Sequence, residues 1–138
     1  MKNSTRRFIE DLKRKEIKYS LEREGVDGNP DVVSVKYIGE NMKEIRTVMF
    51  FTDVNASYKI FSVAKVPSAK REKMLEKINE LHNQWRWVSI AIDEDDEIFF
   101  ELDVWCSEKD IEICTQALIQ IVDIADSCYP EIMKVLWS

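Results

Sequence analysis

Five consecutive acidic residues, Asp93 to Glu97 in the stretch AIDEDDEIFFELDVW, are the first candidates for chemistry in this sequence. Clustered carboxylates can bind a divalent cation, act as a general acid and base, or form a solvated turn. The sequence does not match the pattern of a calcium loop that starts at Asp93. Its sixth position, which needs Gly, is Ile98, and its twelfth, which needs a bidentate Glu, is Val104. Catalysis by paired carboxylates is disfavoured, because adjacent exposed acids share one environment.

The apolar residues on either side of the acidic run predict a β-hairpin. We expect strands from Arg86 to Asp93 and from Ile98 to Trp105, because both segments alternate between apolar and polar residues. The apolar side chains of the two strands share one face in only one register. Its pairs are Ile92 with Ile98, Ile90 with Phe100 and Val88 with Leu102.

This register predicts the loop at the tip of the hairpin. Asp93 then faces Glu97, and the loop consists of Glu94, Asp95 and Asp96. Loops of three residues usually end at a residue with positive φ, a conformation that Asp tolerates better than most residues. The acidic run is therefore interpreted as a hairpin tip rather than as an active site.

The opposite face of the hairpin is predicted to be rich in aromatic residues with acids between them. Exposed aromatic patches often mark interfaces. Three explanations stay open: the chain's own helices or Trp137 cover this face, the face is a homodimer interface, or it binds a peptide. The candidate binding residues are Trp85, Trp87, Phe99 and Trp105.

Other groups that could carry chemistry are scarce. His82 is the only histidine and lies near a predicted helix end, with no Cys or Ser expected beside it. The three glycines are isolated, so no glycine-rich phosphate loop exists. We therefore expect no catalytic residues, no metal ligands and no cofactor.

The three cysteines, Cys106, Cys114 and Cys128, match neither a disulfide framework nor a C-x-x-C pair. We expect them to be buried free thiols. The first fifteen residues contain no apolar stretch of the kind found in secretory signals, and no segment is apolar enough to span a membrane. The expected location is the cytoplasm.

The composition predicts one globular domain over residues 1–138. The chain is 45% hydrophobic and carries a net charge of −6. That charge argues against nucleic acids and anionic membranes as partners, because both attract basic surfaces. It is compatible with a basic protein partner.

Periodicity and turn signals predict an α+β fold with the element order α-β-β-β-α-β-β-α. We expect an antiparallel β-sheet, a meander plus the hairpin, with helices packed mainly on one face. Lys18–Glu24 is a weak candidate for an additional edge strand. Tyr129-Pro130 is expected to break the last long helix, which Ser107 should cap, and EIMKVLW should form a short final helix. The main predicted elements are helices at 4–17, 68–83 and from 107, and strands at 33–37, 45–52 and 57–66.

The segment INELHNQWRWVSIAIDEDDEIFFELDVW resembles the signature of the YbjN family, described as bacterial sensory transduction regulators. Asn79 and Asn83 stand four apart on its helix, before the two strands and their acidic turn. The tail ALIQIVDIADSCYPEIMKVLW and the opening segment KEIKYSLEREG are also similar to the family. Asp96 departs from the glycine that members often have in this turn.

The resemblance implies a fold similar to that of type III secretion chaperones, which are small acidic proteins that commonly dimerise and bind extended segments of partners. It brings no catalytic residues. The favoured hypothesis is a non-enzymatic regulatory or chaperone-like module that binds protein segments as a homodimer. Two alternatives stay open: a divalent-metal-binding domain or enzyme that uses Asp93–Glu97, and an acidic protein of the immunity or antitoxin kind.

Overall fold

The computed structural model describes all 138 residues as one antiparallel sheet with three helices. The sheet has the strand order β1-β2-β3-β4-β6-β5. No helix combines the length and the apolar character that crossing a bilayer requires. The helices are α1 (Asn3–Arg14), α2 (Arg71–Gln84) and α3 (Ile111–Leu136), and a short 3₁₀ turn (Ser68–Lys70) precedes α2. The strands are β1 (Ser20–Arg23), β2 (Asp31–Tyr37), β3 (Ile45–Phe51), β4 (Asn55–Lys65), β5 (Ser89–Ile92) and β6 (Glu97–Trp105).

The α+β class and the antiparallel sheet are as predicted, but four strands rather than three precede α2. The additional strand is β1, which lies within the weak candidate Lys18–Glu24. All four of its residues are exposed, so it lacks the apolar alternation that identifies a half-buried strand. Pairing with β2 holds it in place, together with a hydrogen bond of 2.6 Å from Ser34 Oγ to Glu22 Oε1.

One face of the sheet packs against the helices and forms the core. Alternate residues of the central strands point to this face and are fully or nearly fully buried, because a strand's side chains alternate with period two. Tyr58 on β4 is 0% exposed, and its hydroxyl donates a hydrogen bond of 2.7 Å to the carbonyl of Cys114 on α3. This contact joins the middle of the sheet to the first turns of α3.

The prediction that Tyr129-Pro130 ends the last helix is wrong, because α3 continues through Pro130 to Leu136. Proline lacks the N–H that would bond to the carbonyl four residues earlier, here that of Asp126. That carbonyl instead accepts a hydrogen bond of 3.0 Å from the side-chain amide of Asn41. A contact from the loop between β2 and β3 thus replaces the missing helical bond.

The prediction of three free thiols is also wrong. Cys106 and Cys114 form a disulfide, with Cα atoms 6.5 Å apart, and Cys128 is buried and unpaired. The spacing of eight residues matched no known framework, but the chain reverses between β6 and α3 and brings the two residues together. The disulfide counts against the expected cytoplasmic location, because disulfides are rare in cytosolic proteins. That location stays a prediction.

The start of α3 differs from the predicted cap at Ser107. The helix begins at Ile111 and Asp110 precedes it, without a capping hydrogen bond from its side chain. Ser107 forms a turn before the helix instead, and its hydroxyl donates to Asp110 Oδ2 at 3.0 Å. The turn directs α3 back across the sheet from the end of β6.

Candidate functional site

The acidic run forms the hairpin tip that the sequence predicts. Ile90 pairs with Phe100 and Ile92 with Ile98. Beyond these pairs, Asp93 N–H donates to the Glu97 carbonyl at 2.9 Å, and Asp96 ends the loop with φ of 61°. The predicted register and the loop of three residues are therefore confirmed. The third predicted pair, Val88 with Leu102, lies outside the ladder, because β5 begins at Ser89 rather than Arg86.

The acids of the tip bond to neighbouring groups of the protein. Asp93 Oδ1 accepts hydrogen bonds from the backbone N–H groups of Asp95 and Glu97, at 2.8 and 3.0 Å. Asp96 Oδ1 lies 2.7 Å from the guanidinium of Arg71. No group of three or more His, Cys, Asp or Glu side chains in the chain is arranged to hold a metal ion. These carboxylates therefore stabilise a turn and tie it to the start of α2.

The four aromatic candidates do not form one continuous surface. Trp85 directly follows α2 and is half-buried against the core. Phe99 is half-buried on the outer face of β6, while Trp105 at the end of that strand is 81% exposed. Trp87 is 76% exposed and precedes β5. Because Trp85 and Trp87 lie in the turn between α2 and β5, they do not follow the alternation of the strand.

Trp87 instead lines an apolar groove at the edge of the sheet, with a volume of about 280 Å³. We call this feature the Trp87 groove. One wall is the inner side of the last part of β6, and the other is the first turns of α3. Its lining residues are Trp87, Leu102, Val104, Ile113, Gln116, Ala117 and Gln120.

The chemistry of the Trp87 groove is that of binding rather than of proton transfer. None of its lining side chains titrates, and its polar groups are the amides of Gln116 and Gln120. Ile113 is 52% exposed, so together with Trp87 it offers uncovered apolar surface. An apolar cleft with a few neutral polar groups is typical of ligand and peptide sites.

The sequence prediction names Trp87 as a candidate on an aromatic sheet face, and it does not identify the α3 wall of the groove. The signal was present: the predicted last helix is apolar almost all round, and Ile113 belongs to the excess apolar residues. The sequence does not show which element of the fold these additional apolar residues face. The disulfide lies at the same end of the molecule, because Cys106 directly follows β6 and Cys114 directly follows Ile113. It therefore joins the two walls of the groove.

One acidic side chain without a salt bridge, that of Asp103, lies beside the groove. Asp103 on β6 is exposed and forms no salt bridge, although its carboxylate accepts a hydrogen bond from the Ser57 hydroxyl. Two positions earlier, Glu101 lies 3.6 Å from Lys59. Glu112 near the start of α3 lines a different cavity and lies 2.9 Å from Lys15. An apolar groove beside an unpaired carboxylate favours a partner that carries both apolar and basic side chains.

Comparison with known structures supports the fold. A chain of the heterodimeric ExoU-SpcU complex from the type III secretion system of Pseudomonas aeruginosa matches with a TM-score of 0.51 and 11% sequence identity. The match covers 74% of this chain and 81% of that chain. At this identity the similarity concerns the fold, and it confirms the secretion-chaperone-like architecture that the sequence resemblance implies.

Comparison of the sequence with known proteins gives one family. A search of curated proteins found no significant match. The model of the YbjN family, whose description is "Putative bacterial sensory transduction regulator", matches residues 21–133. This range contains the whole sheet apart from Ser20, together with α2 and most of α3. The chain belongs to the YbjN family.

Proposed function

We propose that this protein is a non-enzymatic regulatory or chaperone-like module that binds a segment of a partner protein in the Trp87 groove. The observation that carries the proposal is the groove itself, which holds an exposed tryptophan, an exposed isoleucine and no titratable side chain. The family description and the fold shared with a chain of a heterodimeric complex are consistent with this role.

The test compares two tryptophans of nearly equal exposure. Trp87 lines the groove, whereas Trp137 follows α3, does not line the groove and is 80% exposed. Affinity-tagged wild type, Trp87→Ala and Trp137→Ala are used to capture proteins from lysate of the native host, and the captured proteins are quantified by mass spectrometry. The best candidate is then purified and its Kd is measured with each variant.

We expect Trp87→Ala to weaken binding about tenfold to a hundredfold, as truncation of a central interface tryptophan typically does. Trp137→Ala should bind as the wild type does. Equal affinity of the wild type and Trp87→Ala for the purified partner would contradict the groove as the site. Circular dichroism shows whether Trp87→Ala is folded, which its exposed position leads us to expect.

We also propose that the module is a homodimer through the outer face of the sheet. Phe61 on β4 exposes apolar surface outside the core, and Phe99 is half-buried on the neighbouring β6. Light scattering after size-exclusion chromatography should give twice the chain mass of 16.3 kDa. Phe61→Glu should shift the mass towards the monomer, because it places a charge in an apolar interface. A wild-type monomer at tens of micromolar would refute this part of the proposal.

A further inference from the structure

The last part of β6 has a strand on only one side. β4 pairs with β6 from Glu97 to Trp105. On the other side β5 pairs with β6 only from Ile98 to Glu101, because its first residue, Ser89, pairs with Glu101. The segment Leu102–Trp105 is therefore a free sheet edge, and it also forms one wall of the Trp87 groove.

The backbone groups that face the free side can be assigned from the alternation of the strand. Cys106 N–H donates to the Val54 carbonyl at 2.9 Å, on the side of β4. Since successive residues of a strand direct their N–H and C=O groups to opposite sides, Val104 also faces β4. Asp103 and Trp105 then direct their N–H and C=O groups to the side on which β5 has ended. A free edge of this kind is a template for another extended chain.

The side chains along this edge are sorted by the same alternation. Leu102 and Val104 point to the inner side and line the groove. Asp103 and Trp105 point to the outer side, where Asp103 forms no salt bridge and Trp105 is 81% exposed. A strand added beside β6 would therefore direct every second side chain into an apolar groove. The remaining side chains of the added strand would lie on the outer side, beside the Asp103 carboxylate and the Trp105 indole.

We propose that the Trp87 groove binds its partner as an added β-strand along Asp103–Trp105, and that this partner segment alternates apolar residues with Lys or Arg. The inference rests on the proposed function and specifies its ligand. The apolar side chains enter the groove between β6 and α3. The basic side chains lie over Asp103, as an ion pair, and over Trp105, as a cation–π contact.

Two other occupants fit this edge less well. A second copy of the chain paired antiparallel here would bring two Asp103 carboxylates close together across neighbouring strands, and like charges in such pairs are destabilising. The free edge is also short, four residues from Leu102 to Trp105, which is little for a stable dimer. A bound helix has no free backbone groups to pair with Asp103 and Trp105. An extended basic and apolar segment satisfies the backbone, the groove and the charge together.

The experiment selects peptides from a random phage-displayed library of twelve-residue segments on the whole protein, with Trp87→Ala as the counter-selection. The expected result is enrichment of peptides in which apolar residues and Lys or Arg alternate with period two. The same selection on Asp103→Lys should replace the basic residues by Asp or Glu, because the charge that they face is reversed. Asp103 is exposed, so Asp103→Lys should fold as well as the wild type does.

Backbone pairing is tested on the best selected peptide after synthesis. Methylation of the amide nitrogen at alternate positions removes donors on one edge of the bound strand only. One of the two alternating sets should therefore weaken binding about tenfold, because it removes the donors that pair with β6, and the other set should have little effect. A scan without this alternation would overturn the strand model.

Three results of the selection would also overturn the inference: no enrichment over Trp87→Ala, apolar residues at helical spacing, or a charge preference that Asp103→Lys leaves unchanged. If a native partner is still lost with Trp87→Ala in any of these cases, the proposed function holds and only the bound conformation is wrong. If Trp87→Ala affects neither peptides nor the native partner, the groove itself is not the site.

Discussion

The carboxylate of Asp126 on α3 accepts a hydrogen bond of 2.9 Å from the backbone N–H of Met42, a residue 84 positions earlier in the chain. The same carboxylate accepts the N–H groups of Glu40 and Asn41, each at 3.0 Å. Asp126 thus binds the loop between β2 and β3 to α3. Its carbonyl, which Pro130 leaves without a helical partner, bonds to the Asn41 side chain of that loop.

We expect Asp126→Ala to lower the free energy of unfolding by about 1–3 kcal/mol, because three backbone donors lose their acceptor. Urea denaturation monitored by tryptophan fluorescence measures the change. The control is Asp123→Ala, an exposed acid one turn earlier on α3, which should change stability by less than about 0.5 kcal/mol. Equal losses for the two variants would show that the carboxylate does not hold the loop.

Stability should fall at acidic pH because of three carboxylates, Asp11, Asp31 and Asp126. Burial acts to raise the pKa of each, but hydrogen bonds to the charged form outweigh it and leave the pKa below its usual range. For Asp31 the donors are the Thr5 hydroxyl and the backbone N–H groups of Lys2 and Gly25. A lowered pKa in the folded state means that the unfolded state binds more protons as the pH falls.

The contribution of these carboxylates is therefore fully present above about pH 5 and is lost progressively below about pH 4. Urea denaturation at a series of pH values from 7 to 3 measures this dependence. Asp31→Asn should be less stable than the wild type at pH 7 and should lose less of its stability on acidification. Parallel curves for the two proteins would contradict the assignment.

The backbone conformation at Asp96 should limit which residues the hairpin tip accepts at that position. Asp96 has φ of 61°, a conformation that β-branched residues strongly disfavour. We expect Asp96→Val to lower the free energy of unfolding by about 1–2 kcal/mol, and Asp96→Gly to change it by less than about 0.5 kcal/mol, because Gly is unstrained but loses the contact with Arg71. Glu94→Val, in the same loop without a positive φ, is the control. If Glu94→Val destabilises as much as Asp96→Val, backbone strain is not the cause.

The cysteines should differ in their reactivity. Burial raises the pKa of the Cys128 thiol to about 11, so the folded protein should not react with iodoacetamide at pH 8. Mass spectrometry should find one alkylated cysteine in denaturant without reductant, and three after reduction. Three without reductant would contradict the Cys106–Cys114 disulfide.

Reduction should also destabilise the protein by about 2–3 kcal/mol, the chain-entropy estimate for a short loop. Cys128→Ser, in which the disulfide is intact, should show the same loss on reduction. Cys106→Ser should show none, since it has no disulfide to lose.

The local pattern of the sequence was sufficient for the hairpin and for the class of the fold. The register of β5 and β6 follows from two apolar runs of period two. The same two runs also fix the length of the loop between the strands. The positive φ at Asp96 follows from that loop length. These features depend on residues close together in the chain, so their physics is visible in the sequence.

The Trp87 groove, the disulfide and the continuation of α3 through Pro130 were decided by tertiary structure. Trp87 left the predicted strand face because α2 ends at Gln84 and the chain needs the next residues to turn into β5. Asn41 replaces the hydrogen bond that Pro130 removes, and Cys106 meets Cys114 where β6 turns into α3. Each of these contacts joins elements whose relative placement depends on the packing of the whole core. Periodicity within one segment carries no information about that packing.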